Sequence, residues 1–514
     1  MRTMNQRFTK AALGAVAILS AALPASAFFG DDESEQDPDV YLAIVGGDIY
    51  TGTGEILRGA TMLSKNGKID EIGYDLYLPE GTEEVDAHGL RVYPGLVALK
   101  ATSRLTQGTF APGLKLHEFV PEVDHPDICG DCGKSFEEIV PSAVDPGEYS
   151  TEHLATDGFK SDFDESFDPF SGYMVMALGN GITTVQQSST AVKLKRGEVD
   201  GVSLSEKTMT SMSWSGSNPS GKADLREKFR DAARYQDELR RWEEVVKKDK
   251  EAKEPSKKGI DSRVLAILQG ATLAKFSSND RDDLLGIARL AQKYHFRPVI
   301  EGCVEGWCVA DELGRASAYA IINPRVRRDR QENLTHDNGS SIENAAILTR
   351  AGVQVAITPG NTSIDMGGIS GRDLLSLPLE AGFAIRGGLD ERTALEGITV
   401  IPARLLGIDH RVGSLEIGKD CDALITDGDL LHYQTFVQYT VVEGKLVYDK
   451  QEEIFYKNIR PRPEPDVAAT DPGEAPAEGA SEEAAASEET PEVEAPSEDA
   501  VEEVVEVEDE TVED

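Results

Sequence analysis

The chain has 514 residues, with 92 acidic and 52 basic side chains and a formal net charge of −40. This length allows two or three domains and a large buried core. The negative charge argues against nucleic acids and anionic membrane surfaces as partners, because both repel an acidic protein.

The N-terminus has the pattern of a secretory signal peptide. Arg2, Arg7 and Lys10 flank and precede an apolar run, and Ala25-Ser26-Ala27 forms an A-x-A cleavage site. The run of about 13 apolar residues is too short to span a bilayer. We therefore expect removal of residues 1–27 and a periplasmic or secreted protein that has no membrane attachment after cleavage.

Segments with the sequence pattern of β-strands occur at both ends of the folded part. Leu42–Tyr50 begins a strand-rich segment, and Asn66-Gly67 is a hairpin signal, since Asn-Gly supplies the positive φ angles of a tight turn. Val412–Tyr448 again contains apolar strands with Gly turns. We expect segments 41–91 and 401–455 to combine into one small β domain.

The middle of the chain, residues 92–400, alternates apolar strands with segments of helical period. Strands are predicted at Leu265–Leu268, Leu273–Ser277 and Pro298–Glu301, and a helix at Asp282–Tyr294. Such alternation indicates a mostly parallel α/β sheet, and the length suits a (β/α) barrel.

Other segments interrupt or flank this pattern. We expect a long loop over 103–170 and an amphipathic helical insert over 223–258. An acidic linker covers 28–40. The segment 463–514 has 21 acidic residues and no Lys or Arg, which predicts a disordered tail.

One strand organises these segments. Arg91–Thr102, which reads RVYPGLVALKAT, resembles the first barrel strand of the amidohydrolase superfamily, where Pro-Gly and two aliphatic residues precede Asp-x-His-x-His. Gly46–Gly52 and Gly413–Asp422 are similar to that superfamily's opening and closing segments. The helical insert resembles an imidazolonepropionase-like bacterial branch. The resemblance implies an α/β fold, a (β/α)8 TIM-like barrel with a β-sandwich domain formed from both chain ends.

The family's metal ligands are replaced in this chain. The resemblance implies strand-end histidines that hold a divalent metal and an Asp that takes a proton from the metal-bound water. The corresponding positions are occupied by Lys100, Thr102, Ser277, Gly302 and, at strand eight, Gly360 or Asn361. A protonated lysine repels a metal cation. We therefore expect that the standard metal site is lost and that no cofactor is bound.

Four of the five cysteines form two close pairs, Cys129 with Cys132 and Cys303 with Cys308. In an exported protein two short disulfides are expected. A zinc site of four cysteines, or of three cysteines and one histidine such as His117 or His125 from the long loop, is an alternative, and free or differently paired thiols are another. Cys303 directly follows strand six, which places it at the predicted mouth of the barrel.

Two functional hypotheses follow. In the first, the barrel is a non-catalytic binding or partner subunit, which forms a homodimer or a complex with an active amidohydrolase relative. In the second, the protein hydrolyses carbon–nitrogen bonds other than peptide bonds in small amides. A desolvated Lys100 would then act as a base for Ser or Thr. Only this second hypothesis leaves a place for a divalent metal such as zinc.

Overall fold

The computed structural model of the protein describes residues 39–101, 105, 167–206, 208–247, 249–250, 252–364, 372–453 and 459. The predicted signal peptide, nearly all of the loop 103–170 and the acidic tail lie outside these residues.

Strands are distributed along the whole described chain. They are β1 (Tyr41–Tyr50), β2 (Ile56–Lys65), β3 (Lys68–Gly73), β4 (Glu83–Asp86), β5 (Arg91–Pro94), β6 (Leu96–Ala101), β7 (Ile182–Gln187), β8 (Thr190–Lys193), β9 (Ser203–Glu206), β10 (Met209–Met212), β11 (Leu273–Ser278), β12 (Pro298–Gly302), β13 (Tyr319–Ile322), β14 (Gln354–Ile357), β15 (Ala423–Thr426), β16 (Val437–Val442) and β17 (Lys445–Asp449).

Helices occupy the central part of the chain, and two short 3₁₀ helices, Gly306–Val309 and Leu374–Ser376, precede α5 and α7. The α-helices are α1 (Gly172–Gly179), α2 (Pro219–Val246), α3 (Ser262–Leu268), α4 (Arg281–Tyr294), α5 (Ala310–Arg315), α6 (Asn344–Arg350), α7 (Leu377–Arg386), α8 (Glu391–Glu396) and α9 (Val400–Leu405).

Strands from both ends of the described chain form one eight-stranded sheet. Its order is β17-β16-β15-β5-β1-β2-β3, and β4 also pairs with β1. The predicted hairpin is confirmed, since Asn66 and Gly67 have φ angles of 50° and 81° between β2 and β3. The N-terminal strands of this sheet join its C-terminal strands through the antiparallel pair β5–β15, in which Tyr93 lies opposite Leu424.

The middle of the chain forms two further sheets. Strands β10 to β14 are parallel in sequence order, and β6 and β7 are parallel in a four-stranded sheet completed by β8 and β9. Backbone amides of β6 and β14 both reach the segment between α8 and α9. Val97 N donates to Ile398 O at 3.0 Å, and Ile357 N donates to Gly397 O at 2.8 Å. These two bonds link the first and last parallel strands.

Each parallel strand has one face toward helices and one toward other strands. Phe276, Ile300 and Val355 belong to a large apolar cluster with the helices. Val299 and Ala356, one residue along the same strands, belong to a second cluster with α9. Strand residues alternate between faces. The residues of the second cluster are therefore the ones that face inward, and those of the first cluster face the helices.

The segment Leu265–Leu268 is helical, so the strand predicted there is wrong. Asp261 caps α3, accepting a hydrogen bond from Arg263 N at 3.0 Å. Such a cap satisfies one of the free amides at a helix start, which favours the helix over a strand of the same apolar residues. The helical insert is present as α2, which ends at Val246, twelve residues before its predicted limit.

A buried ion network joins the four-stranded sheet to the eight-stranded sheet. We call it the Lys193 network. Lys193, at the end of β8, has a fully buried side chain whose Nζ lies 2.5 Å from Asp420 and 3.2 Å from both Asp422 and Glu443. Arg411 donates to Asp420 at 2.7 Å and to Glu443 at 3.1 Å.

Burial and charge compete within this network. Burial raises the pKa of Asp422, since the ionised carboxylate loses its hydration. Burial also opposes ionisation of Asp420, but Lys193 and Arg411 outweigh it and hold the pKa of Asp420 below its usual value. The cations are therefore essential, because without Lys193 and Arg411 the buried Asp420 and Asp422 would keep only the exposed Lys68, which contacts Asp420 at 3.3 Å.

No helix in the described ranges is long and apolar enough to cross a membrane.

We predict that Lys193→Met lowers the free energy of unfolding by about 3 to 5 kcal/mol, because it leaves Asp420 and Asp422 buried without their main cation. The matched control is Lys445→Met. Lys445 forms an exposed ion pair with Glu198, and this pair is expected to contribute less than about 1 kcal/mol to the free energy of unfolding. Chemical denaturation of both variants measures the difference. Equal effects would contradict the assigned role.

Candidate functional site

Three charged side chains from β6, β11 and β12 meet, with Lys100 and Glu301 near the carboxyl ends of their strands and Lys275 in the middle of β11. Lys100 forms an ion pair with Oε1 of Glu301, and Lys275 Nζ lies 3.1 Å from Oε2 of the same residue. We call these residues the strand-end triad. Both oxygens of its one carboxylate are thus held by ammonium groups.

The backbone explains how these side chains converge. Glu301 is two residues after Val299 on β12, so both face inward, and Lys275 pairs with Val299 in the adjacent strand. Lys100 reaches Glu301 from a β-bulge with a left-handed φ of 65°. The register shift between Ala98 and Ala101 marks one extra residue in β6 relative to β7.

The triad is partly accessible. The side chains of Lys100, Lys275 and Glu301 are 38%, 23% and 20% exposed. Burial favours the neutral acid, but Lys100 and Lys275 outweigh this effect and hold the pKa of Glu301 below its usual value. Glu301 is therefore a carboxylate at neutral pH.

Two hydroxyl groups lie on the same inward faces. Ser277 is exposed and pairs with Glu301 in the β11–β12 register. Thr358 follows β14, two residues after the inward Ala356, and is 7% exposed. The Thr358 hydroxyl is buried without a hydrogen-bond partner. An unpaired buried hydroxyl is unfavourable and often marks a place where a ligand or water binds.

Of the predicted ligand positions that lie within the described residues, only Lys100 belongs to the triad. Ser277 lies beside it, whereas Gly302 has a φ of 96° and no space for a side chain, since a Cβ atom there would lie 2.2 Å from Asn279 Oδ1. Asn361 Oδ1 accepts hydrogen bonds from the amide and the hydroxyl of Ser363. At Gly360 a Cβ atom would approach Asn323 Nδ2 to 2.9 Å.

The remaining predicted residues Thr102, His117, His125, Cys129 and Cys132 lie outside the described residues.

The predicted Cys303–Cys308 disulfide is not formed, since both thiols are free. Cys303 is fully buried in the apolar cluster with the helices, so it does not line the mouth as expected. Its sulfur packs against Gly306, while Cys308 Sγ donates to Asp337 O at 3.3 Å. Burial raises the pKa of Cys303 to about 12 and that of Cys308 to about 11. Neither is a reactive thiolate at neutral pH.

The triad does not fit a divalent metal. Metal ligands need free lone pairs, but both Glu301 oxygens are occupied by Lys100 and Lys275, and their ammonium groups repel a cation. In the described part of the chain, no three His, Cys, Asp or Glu side chains are grouped closely enough to hold a metal ion.

Sequence reasoning missed Glu301 and Lys275 as site residues. The family's ligand position corresponds to Gly302. The side chain that faces inward belongs to the preceding residue, Glu301. Period-two alternation from Val299 and Leu273 would have selected Glu301 and Lys275.

Several cavities of the described part of the chain lie away from the triad. One of about 240 Å³ contacts the stacked rings of Tyr50 and Tyr93, whose centroids are 4.5 Å apart. Another of about 200 Å³ contacts His432 and Phe436. Neither is lined by a triad residue, so the candidate site is chosen by its chemistry and its place at the strand ends.

Comparison with known sequences gives local matches. The model of the amidohydrolase family matches residues 320–451. The N-acetylglucosamine-6-phosphate deacetylases of Rattus norvegicus and Bos taurus are 40% and 38% identical over 65 residues, which cover 13% of this chain. The chain thus aligns with only 15% of the length of these curated relatives.

Comparison with solved structures covers more of the chain. An amidohydrolase from Thermotoga maritima MSB8 superposes with a TM-score of 0.54 and 20% sequence identity. The match covers 79% of this chain and 100% of that chain. This likeness shows the fold, which is α/β and TIM-barrel-like.

We predict that Glu301→Gln destabilises the protein in a pH-dependent way. The pKa of Glu301 is lowered in the folded state, so its contribution is present above the unfolded value of 4.5 and is lost as pH falls through the folded value. The difference in free energy of unfolding from the wild type should be about 1 to 3 kcal/mol at about pH 7 and smaller at about pH 3.

Denaturation curves at both pH values test this prediction. The control is Glu198→Gln, which alters an exposed ion pair with Lys445. A difference for Glu301→Gln that stays constant or grows on acidification would contradict the pairing.

Proposed function

We propose that this chain is a member of the amidohydrolase superfamily, and that it is a non-catalytic member that serves as a binding or partner subunit. The strand-end triad is the observation that supports this proposal. Glu301 is paired with two ammonium groups at the place where a TIM-barrel enzyme carries its chemistry. Two cations at this point disfavour binding of the divalent ion on which the family's water activation depends, which supports the proposal.

The hydrolase hypothesis has less support. It needs Lys100 as a proton acceptor, but the ion pair with Glu301 uses the ammonium form, which has no lone pair. The second lysine, Lys275, is engaged by the same carboxylate. The exposed Ser277 therefore has no neighbouring base within the triad, and a serine without a base is a weak nucleophile.

The finer fold assignment is part of the same proposal. We propose that the parallel strands β6, β7 and β10 to β14 belong to a (β/α)8 barrel, and that the eight-stranded sheet corresponds to a β-sandwich domain. The bonds of Val97 and Ile357 to residues 397–398 support closure of the ring.

We further propose export and a protein partner. The N-terminal pattern from Arg2 to Ala27 supports a periplasmic or secreted protein. A barrel without its own catalytic centre can persist as part of a homodimer or of a complex with an active amidohydrolase relative. Affinity capture from the source cells, compared with the protein's own mass in solution, distinguishes these two assemblies.

We predict that the full mature protein, purified without a chelator or a histidine tag, holds far less than one divalent metal ion per chain. Chelator treatment should leave its melting temperature unchanged, since no metal stabilises the fold. Inductively coupled plasma mass spectrometry and thermal denaturation measure both quantities. A stoichiometric metal that the chelator removes with loss of stability would overturn the proposal.

We predict that the protein isolated from its source cells begins at Phe28. The A-x-A pattern at Ala25–Ala27 is the reason for this position. N-terminal sequencing of the secreted or periplasmic fraction gives the result directly. Recovery of the intact chain from the cytoplasm alone would contradict export.

A further inference from the structure

The strand-end triad carries a local positive charge within an acidic protein. Its two ammonium groups and one carboxylate have a net charge of one positive unit, whereas the whole chain has −40. The charged groups are 20–38% exposed, so the site remains open to solvent from the described part of the chain. A partly buried cationic site attracts anions more strongly than an exposed one, because screening by water is weaker there.

The hydrogen-bonding capacity of the triad is incomplete. An ammonium group has three donors, and Lys100 and Lys275 each make a contact to Glu301. The Thr358 hydroxyl, which follows β14 two residues after the inward Ala356, is buried and unpaired. The two lysines thus have donors in excess of the triad's own acceptors, and Thr358 has an unused hydroxyl on the inward side of β14.

We propose that this mouth binds a small organic anion through a carboxylate group, with Lys100 and Lys275 as its cationic partners and Thr358 as a hydroxyl partner. This inference rests on the proposed non-catalytic function and names the ligand class of the same site. The geometry already suits a carboxylate, because the two lysines hold opposite oxygens of Glu301. The single net positive charge matches a monoanion.

In this arrangement Glu301 competes with the ligand. When it is ionised, its carboxylate occupies the lysine donors that an incoming carboxylate would use. Removing its charge therefore frees the donors and strengthens anion binding. A purely structural triad has the opposite response, since loss of Glu301 would weaken the site and create no affinity.

The test uses ¹³C-labelled acetate as the probe and follows its binding to the full chain by NMR titration at constant ionic strength. The wild type should bind one acetate per chain. Lys275→Met should weaken binding about tenfold, through loss of a charge-assisted hydrogen bond, and Glu301→Gln should strengthen it about tenfold. Lys445→Met, which changes a surface pair, should leave the affinity unchanged.

Thr358→Val provides a second variant that keeps the shape of the side chain. It should weaken acetate binding severalfold, and it keeps the proposal testable if Lys275→Met does not fold.

Absence of acetate binding, or weaker binding by Glu301→Gln, would overturn the inference. Tighter binding of inorganic phosphate than of acetate would overturn the carboxylate class. A metal-free protein that fails to bind acetate contradicts this inference alone, whereas a stoichiometric metal contradicts the proposed function.

Discussion

The Lys193 network is the interaction on which the arrangement of the sheets depends. A fully buried ammonium from β8 meets carboxylates that precede β15 and follow β16. Buried charges of this kind are tolerated only when every partner is in place, so they specify one alignment of the two sheets and penalise others. Apolar contacts alone would allow the sheets to slide, since apolar contacts are not directional. Strand β6, which carries Lys100, lies in the same four-stranded sheet as Lys193 and directly follows β5 of the eight-stranded sheet.

The strand-end triad shows how a fold and its chemistry can separate. The described chain keeps parallel strands whose carboxyl ends meet, which in an enzyme would bring ligands around a metal. Here the same convergence brings Lys100 and Lys275 around Glu301, so two cations surround one anion. Two ammonium groups at this point repel a cation. Fold similarity to an amidohydrolase therefore does not imply its reaction.

Much of the fold could be predicted from local signals. The turn at Asn66-Gly67 and the helix α4 follow from backbone preference and apolar period, and both are observed. The helix α3 was missed because its short run of apolar residues fits a strand or a helix equally well, and the deciding cap at Asp261 lies outside the run. Short apolar runs are ambiguous in this way.

The site was harder to predict than the fold. Lys100 was found because it stands at a family ligand position, but its partner depends on a bulge in β6 that no spacing indicates. The resemblance does not point to Glu301, because the family's ligand position corresponds to the next residue, Gly302. At Gly302 the backbone has a positive φ, and a Cβ atom would lie close to Asn279 Oδ1. The free state of Cys303 also depends on tertiary packing, since Gly306 lies over its sulfur.

The composite sheet has a consequence for how the protein is made. Strand β5 ends at Pro94, and its partner β15 begins at Ala423, roughly 330 residues later. At about 5 to 20 residues per second, the ribosome needs on the order of 15 to 70 s to supply that partner. Throughout this interval β5 is an open edge of a partial sheet, and open edges promote pairing between chains. The uncovered edge of β5 is therefore a point at which a nascent chain could pair with another chain before its last strands emerge.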